Sequence, residues 1–493
     1  MNLLKKIPFF LLLLPVFFCL HGWLQDFGVL TASELLLLGV YICIALALLF
    51  LLVWVVTKNK VNAALITFYT GLIYIFFGVI QDWLQGIAFL SFLNRYIILL
   101  PVMLVSIFCL AWFLKRKPGF QKKLFIYLNF LLIIYCLIDA GLLVKKYLNM
   151  QKDAALQVLV DYKKVKTKPD VYYLLFDEYP GYKSLQAAFN FKNDSLYSFL
   201  QGNGFIIQPS FSNYNFTVFS MSSIFNMQYV TGEYNHEHGL TDQRDFRNRS
   251  NEIKNGAVFS IFKSMGYQLE NYSIFDVDNQ NCVNPDKSFL PVHIRVLTNK
   301  MLHNRMRKHI GWWFRGTILQ NFFIKKEAIY ENDQTNNDII NLLNKSLLQK
   351  SDKPKFCYAH FAMPHAPYFR DSTGALIESK ALQQGYYLSD TRYFLSYLKY
   401  TNTVITSLVN KIIQHNPEAL IVVMSDHGFR DYNHHKEFYP PAFDNICAVR
   451  FLYKNTLPYK DSLSGVNFFR YLFNSQYNQQ LPYLKDSTIW LNY

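Results

Sequence analysis

The sequence predicts a two-part protein: an amino-terminal transmembrane region of five helices, then a carboxyl-terminal α/β domain whose central sheet is mostly parallel. Three observations predict it. The 493 residues are 52% hydrophobic and 17% aromatic, apolar for a wholly soluble chain, and the excess is concentrated before about residue 148. Beyond that point strand-like and helix-like runs alternate through the rest of the chain, the pattern of βαβ units. The third observation is the run Ala419 to Arg430, ALIVVMSDHGFR, an apolar strand pattern that stops on Ser425-Asp426-His427-Gly428. It brings a carboxylate and an imidazole to the carboxyl end of a strand, where α/β sheets hold their ligands.

Five hydrophobic segments precede residue 148: Phe9 to Leu24, Leu35 to Val56, Ala63 to Ile80, Tyr96 to Leu114 and Leu124 to Val144. Most approach the roughly 20 residues that cross a bilayer core. The first contains Pro15 and His21 and resembles a signal sequence. It lacks a clear small-residue cleavage site and further spans follow, so it is read as a membrane helix. Lys5 and Lys6 precede it, Lys58 and Lys60 follow the second segment, and Lys115, Arg116, Lys117, Lys122 and Lys123 lie between the fourth and fifth. The alternate loops, Gln25 to Glu34 and Gln81 to Asn94, contain no Lys or Arg. Positive charge stays on the cytoplasmic side, so the amino terminus is cytoplasmic and an odd number of spans puts the remainder outside, in the periplasm or cell exterior. Lys145 and Lys146 oppose this assignment and are outnumbered. The expected division is 1–148 for the membrane region, 149–168 for a polar linker and 169–493 for the domain.

Before Gln151 there are 12 basic and 4 acidic residues, so +8 of the net charge of +15 belongs to the membrane region and +7 to the rest. That distribution makes nucleic acid a poor partner. Of seven cysteines, Cys19, Cys43, Cys109 and Cys136 lie in apolar spans, leaving Cys282, Cys357 and Cys447. An odd, sparse set is no disulfide framework, although it leaves room for one bridge.

After Pro169, the stretch DVYYLLFD from Asp170 to Asp177 is a strand ending on a carboxylate, followed by the turn residues Tyr179-Pro180-Gly181. Asp177 is either a cap or half of a site shared with the Asp426 strand. A short helix over Asp194 to Gln201 comes next. Thr217 then opens the helix-spaced run VFSMSSIFNMQY. A hydroxyl at a helix start either caps the helix or lies where backbone N–H groups favour an anion, and sequence mechanics alone favour the cap. Val258 to Phe275 reads as a helix–strand unit. Basic residues from Arg295 to Arg315, around Trp312 and Trp313, fit lipid headgroups, an anionic substrate or a solvated face equally. An amphipathic helix over Asp333 to Gln349 precedes the strand KFCYAHFAMPHAPY, which puts His360 and His365 at a strand end and a proline-fixed turn. A helix over Thr391 to His415 feeds the Asp426 strand. His434 and His435 follow, then a strand over Ile446 to Tyr453 and a helix over Val466 to Phe473.

Four stretches in this order, PDVYYLLFDEY, SNYNFTVFSMSSIFNMQY, AHFAMPHAPY and VVMSDHG, resemble the sulfatase-like branch of the alkaline phosphatase superfamily. The whole architecture resembles membrane-anchored members such as lipoteichoic acid synthases and phosphoethanolamine transferases. The likeness runs from Pro169 to Tyr493 with a poorly matched middle. It implies that Asp177, Asp426 and His427 ligate a divalent metal, Zn²⁺ or Mn²⁺, with Thr217 facing the same ion as the nucleophile. It implies for His365 a role in proton transfer, and for His360, His434 and His435 contact with the substrate ester. The place of Glu178 is left open, because relatives differ at the position after the first ligand. The chain has no Cys/Ser-x-Pro-x-Arg motif, and Cys282-Val283-Asn284-Pro285 does not supply one. The resemblance therefore implies phosphoester hydrolysis or phosphotransfer on a membrane lipid or envelope glycan. Sulfate ester hydrolysis without formylglycine, and a non-catalytic envelope scaffold, are the alternatives.

Overall fold

The computed structural model describes residues 5–25, 27, 30–148, 160–230, 243–284, 294–310, 330–378, 381–382, 390–430, 440–452 and 462–491. The chain forms two compact units, Met1–Lys152 with Asp286–Lys326, and Asp153–Pro285 with Glu327–Tyr493.

The first unit is helical. Three helices, Ala32–Thr57, Tyr96–Arg116 and Gly119–Leu148, are long and apolar enough to cross a membrane, and Lys60–Ile75 with Phe77–Gly86, bent by 59°, makes a fourth if the pair is one span. Phe9–Gln25 is apolar but only 17 residues long, about 26 Å at 1.5 Å per residue against a hydrocarbon core of about 30 Å. Helix coincides with each of the five apolar segments, the break at Phe76 dividing the third, but three or four of them, not five, are long and apolar enough to span. Thr31 and Glu34 form a reciprocal capping box at the start of Ala32–Thr57. Many outward positions are apolar, with Val56 82% and Ile97 83% exposed.

Residues 294–310 belong to this same unit although the sequence places them far downstream. Ile294, Leu297 and Met301 are buried in one cluster with Phe10, Leu14 and Leu38. The Gly78 N–H donates to the Lys300 carbonyl at 2.7 Å, and Arg305 pairs with Asp82 at 2.6 Å. A Cβ on Gly22 would lie 2.3 Å from a Leu297 methyl carbon, so a larger residue there would require the Leu297 side chain to move. Trp312, Trp313 and Arg315 lie outside the described residues.

The second unit is built on strands β1 (Val171–Phe176), β2 (Ile206–Ile207), β3 (Ser210–Phe211), β4 (Gln268–Tyr272), β5 (Lys355–Phe361), β6 (Leu420–Met424), β7 (Asp444–Asn445), β8 (Cys447–Arg450) and β9 (Leu463–Ser464). Among the described residues, six form a mixed sheet in the order β2-β8-β6-β1-β5-β4, and β7-β3-β9 form a small second sheet. The strands β4, β5, β1 and β6 run parallel, whereas β8 returns antiparallel to β6, and β2 pairs antiparallel with β8. The central strands are buried on both faces, which explains why they read as unbroken apolar runs.

Alternation along these strands divides the core in two. Val171, Tyr173 and Leu175 face one side together with Phe356, Tyr358, Leu420, Val422 and Met424, and there they meet Met221, Ile224 and Phe225 of the helix Thr217–Asn226. Tyr172, Leu174 and Phe176 face the other side with Cys357, Ala359, Phe361, Ile421 and Val423, against the helix Thr391–His415. All seven cysteines are free thiols, so the one bridge the sequence left room for is not formed.

Candidate active site

Because β1 lies between β5 and β6 and all three run parallel, their carboxyl ends open at one edge. Leu175 is in register with His360 on one side and Met424 on the other. Two residues further along, Asp177 and Asp426 therefore face the same side as Leu175 and Met424. That is the side covered by the helix Thr217–Asn226, whose first residue supplies a hydroxyl.

The distances follow from this placement. The Thr217 hydroxyl is 3.2 Å from His427 Nε2 and 3.5 Å from Asp177 Oδ1. His427 Nε2 is 3.5 Å from Asp177 Oδ1 and 3.4 Å from Asp426 Oδ2. Thr217 does not cap its helix: Phe216 holds the cap position and no side chain bonds there. The hydroxyl is turned to the carboxylates instead, so the capping role that local sequence favours is not the one adopted.

Neighbouring hydrogen bonds fix each group. A carbonyl only accepts, so the 2.7 Å contact between His427 Nδ1 and the Gly428 carbonyl puts the ring proton on Nδ1 and leaves the Nε2 lone pair facing Thr217 and both aspartates. Ser425 Oγ accepts from the Tyr179 N–H at 2.9 Å and donates to the His427 carbonyl at 2.6 Å, tying the end of β1 to the end of β6. Ser220 donates to the Asp426 carbonyl at 2.6 Å. Gly428 is required by space, because a Cβ there would be 1.9 Å from the Pro441 carbonyl oxygen.

The electrostatics of these groups suit a bound cation. Burial and the adjacent Asp426 push the Asp177 carboxyl well above the usual carboxylate range. Burial also acts to raise Asp426, but His427, His360, Thr217 and the Glu178 N–H outweigh it and hold that carboxyl low. Burial lowers His427 and pushes His360 down to about 4. Asp426 Oδ2 is buried without a hydrogen-bond partner. A tetrahedral ion with bonds of about 2.0–2.1 Å has donor–donor edges of about 3.3–3.4 Å. The four separations given above, 3.2 to 3.5 Å, match that spacing, so the residues present fit a divalent metal.

The remaining residues singled out by the sequence divide clearly. His360 is fully buried beside Asp177 and Asp426. His365 is half-buried, its Nδ1 donating to the Ala366 carbonyl at 2.5 Å and its Nε2 accepting from Arg430 at 2.9 Å. His434 and His435 lie outside the described residues. Glu178 adopts a left-handed φ of 64°. Its Oε1 accepts the Arg430 N–H at 2.7 Å and its Oε2 is 3.8 Å from His365 Nε2.

Sequence reasoning missed Arg430, whose guanidinium also lies over the Phe216 ring at 5.2 Å. It missed Ser220, Ser425 and Tyr358 as well. Arg430 stands within the SDHGFR stretch, so its proximity was readable, but its contact with His365, 65 residues earlier, depends on the fold.

A family model described as Sulfatase matches residues 192–459. No curated protein sequence gives a significant match. Among solved structures, the chain is similar to the C-terminal periplasmic domain of EcEptC from Escherichia coli in complex with Zn, with 11% identity, 66% of this chain and 90% of that one covered, and a TM-score of 0.38. It is similar to the soluble domain of lipooligosaccharide phosphoethanolamine transferase A from Neisseria meningitidis, with 11% identity, coverage of 64% and 95%, and a TM-score of 0.38. The phosphonate monoester hydrolase SpPMH from Silicibacter pomeroyi is a third, with 12% identity, coverage of 65% and 75%, and a TM-score of 0.37.

Proposed function

The chain belongs to the sulfatase family of hydrolases and transferases, and on that premise we propose that it is a membrane-anchored, metal-dependent phosphotransferase or phosphoester hydrolase working through Thr217. The observation that carries this reading is the Thr217 hydroxyl at a helix start, 3.2 Å from His427 Nε2 and 3.5 Å from Asp177 Oδ1, where it serves no cap.

Asp177, Asp426, His427 and Thr217 would hold the divalent ion, Zn²⁺ or Mn²⁺. When bound, the ion lowers the hydroxyl pKa and neutralises charge on the ester. Thr217 Oγ1 gives its proton to solvent and attacks phosphorus, forming an Oγ–P bond as the ester P–O bond breaks and the leaving oxygen takes a proton from His365 protonated on Nε2. Water or an acceptor hydroxyl then attacks the phosphothreonine, breaking the Oγ–P bond and restoring the threonine. The helix start orients backbone N–H groups towards the anionic ester. Arg430 and His365, held against Glu178 at the same edge, are placed to bind ester oxygens, and His365 can protonate the leaving group once its Nε2 carries a proton and releases Arg430. Of the other histidines the sequence brings forward, His434 and His435 are proposed to contact the substrate.

The substrate is a membrane lipid or envelope glycan. Five spans, counting Phe9–Gln25 and the bent pair, and a catalytic domain within 169–493 outside the cytoplasm agree with the placement of basic loops. The test is to purify the full chain in detergent, measure bound metal, and assay phosphate mono- and diesters against sulfate esters. Stoichiometric metal with phosphoester turnover lost on chelation is expected. Preferred turnover of sulfate esters would make the chain a sulfatase without formylglycine, and absence of both metal and turnover would make it a scaffold. A reporter fused after Tyr493 that gives a cytoplasmic signal would reverse the topology.

A further inference from the structure

We propose that His360 is an additional donor to the same metal, oriented by Tyr358. The inference rests on the metal reading above and extends it to a residue that the sequence assigned to the substrate. Strand alternation puts His360 on the face of β5 shared with Phe356 and Tyr358, the face on which Asp177 and Asp426 also lie. Donor atoms of Asp177, His360 and Asp426 all lie within 4.8 Å of one another. The imidazole is 0% exposed, and its Nε2 has no hydrogen-bond partner.

A structural histidine so deeply buried would use both ring nitrogens, because an unsatisfied buried polar atom costs about 1–3 kcal/mol. Only one is used here. His360 Nδ1 is 2.8 Å from the Tyr358 hydroxyl, and Phe275 packs on the ring with centroids 5.6 Å apart. Tyr358 is itself wedged against Phe225 and Tyr173, at centroid distances of 4.9 and 5.8 Å. With the proton on Nδ1 donated to the Tyr358 oxygen, the lone pair of the unpartnered Nε2 is free to bind a metal. This is how a metal-ligating histidine is set by a second hydrogen bond. A substrate contact would need solvent access that His360 lacks.

The experiment is X-ray absorption on the full chain in detergent, loaded with Zn²⁺, together with Zn²⁺ affinity by competition with a chromophoric chelator. Two imidazoles are expected per zinc in the wild type and one in His360→Gln. Tyr358→Phe is expected to keep two imidazoles and bind about 10–100-fold more weakly, the usual effect of losing a group that orients a ligand. One imidazole in the wild type overturns the assignment while leaving the metal centre intact, and that count decides even where His360→Gln does not fold. Wild-type affinity in a folded His360→Gln also overturns it. Failure of the wild type to bind stoichiometric zinc at all overturns the metal centre itself, and this assignment with it.

Discussion

Replacing Thr217 separates the two roles a helix-start threonine can have. If Thr217 capped the helix Thr217–Asn226, Thr217→Ala would lose a side-chain-to-backbone bond worth about 1 kcal/mol. No such bond exists, and Phe216 occupies the cap position. Thr217 is not fully buried, and its hydroxyl contacts are the 3.2 Å approach to His427 and the 3.5 Å approach to Asp177. Both are long for hydrogen bonds, so their removal costs little folding energy. The expected stability change is within about 0.5 kcal/mol, the range of substitutions outside structural features. Turnover is expected to fall on the order of 10⁴-fold or more, as when a covalent nucleophile is removed. Thr217→Ser keeps the oxygen and should retain most of the rate. The assay pairs denaturant unfolding with phosphoester turnover for wild type, Thr217→Ala and Thr217→Ser in the same detergent. A loss of about 1 kcal/mol with turnover retained in Thr217→Ala would identify a cap and refute the nucleophile.

Three further outcomes are expected. Gly428→Ala places a Cβ 1.9 Å from the Pro441 carbonyl oxygen and 2.4 Å from that of Asp444. Backbone atoms have to move, and denaturant unfolding should show a loss of about 3 kcal/mol together with lowered metal occupancy; wild-type stability would mean the turn relaxes freely. Asp444 accepts the Ser184 N–H at 3.0 Å and its carboxyl is raised by burial. A raised carboxylate favours the folded state below its unfolded pKa and loses that contribution as pH rises through the folded value. Asp444→Asn should therefore be more stable than wild type at pH 7, with the gain vanishing as pH falls below the usual carboxylate range; a gain that grows on acidification would contradict this sign. Finally, a chain beginning at Gln151 removes the helices that bury Ile294, Leu297 and Met301. Size-exclusion chromatography without detergent should show aggregates, and a monodisperse species would mean that segment has another resting place.

The parts of the molecule governed by local periodicity were legible. The strands ending at Asp177 and Asp426 were readable because unbroken apolar runs stopped on carboxylates, and the helix Thr391–His415 because its apolar residues recur on one side. Long-range pairing was not readable. Nothing in the spacing of the run Ile446 to Tyr453 could tell that β8 returns antiparallel, since its direction depends on its connection to β6 and not on its own residues. Residues 294–310 carried mixed basic and apolar side chains, a composition that left their seat among the amino-terminal helices unspecified. His360 illustrates the same boundary. Its strand was visible, but the face it occupies required the register with Leu175.

That register is what makes the site possible. A one-residue slip of β1 against its neighbours would turn every side chain to the opposite face. Asp177 would leave the side covered by the Thr217 helix, and Glu178 would replace it with a longer side chain. The slip is resisted by large side chains on both faces: Phe176 stacks on Phe361 at 4.8 Å on one, and Tyr173 packs against Phe468 and Phe469 at 5.7 and 5.3 Å on the other. Each buried aromatic side chain contributes a few kcal/mol of burial, and a slip would forfeit several at once. The left-handed turn at Glu178 then sends the second carboxylate to Arg430 and His365. Two adjacent acids of nearly equal chemistry are thereby given different partners. Packing some distance from the hydroxyl decides which of them shares an edge with Thr217.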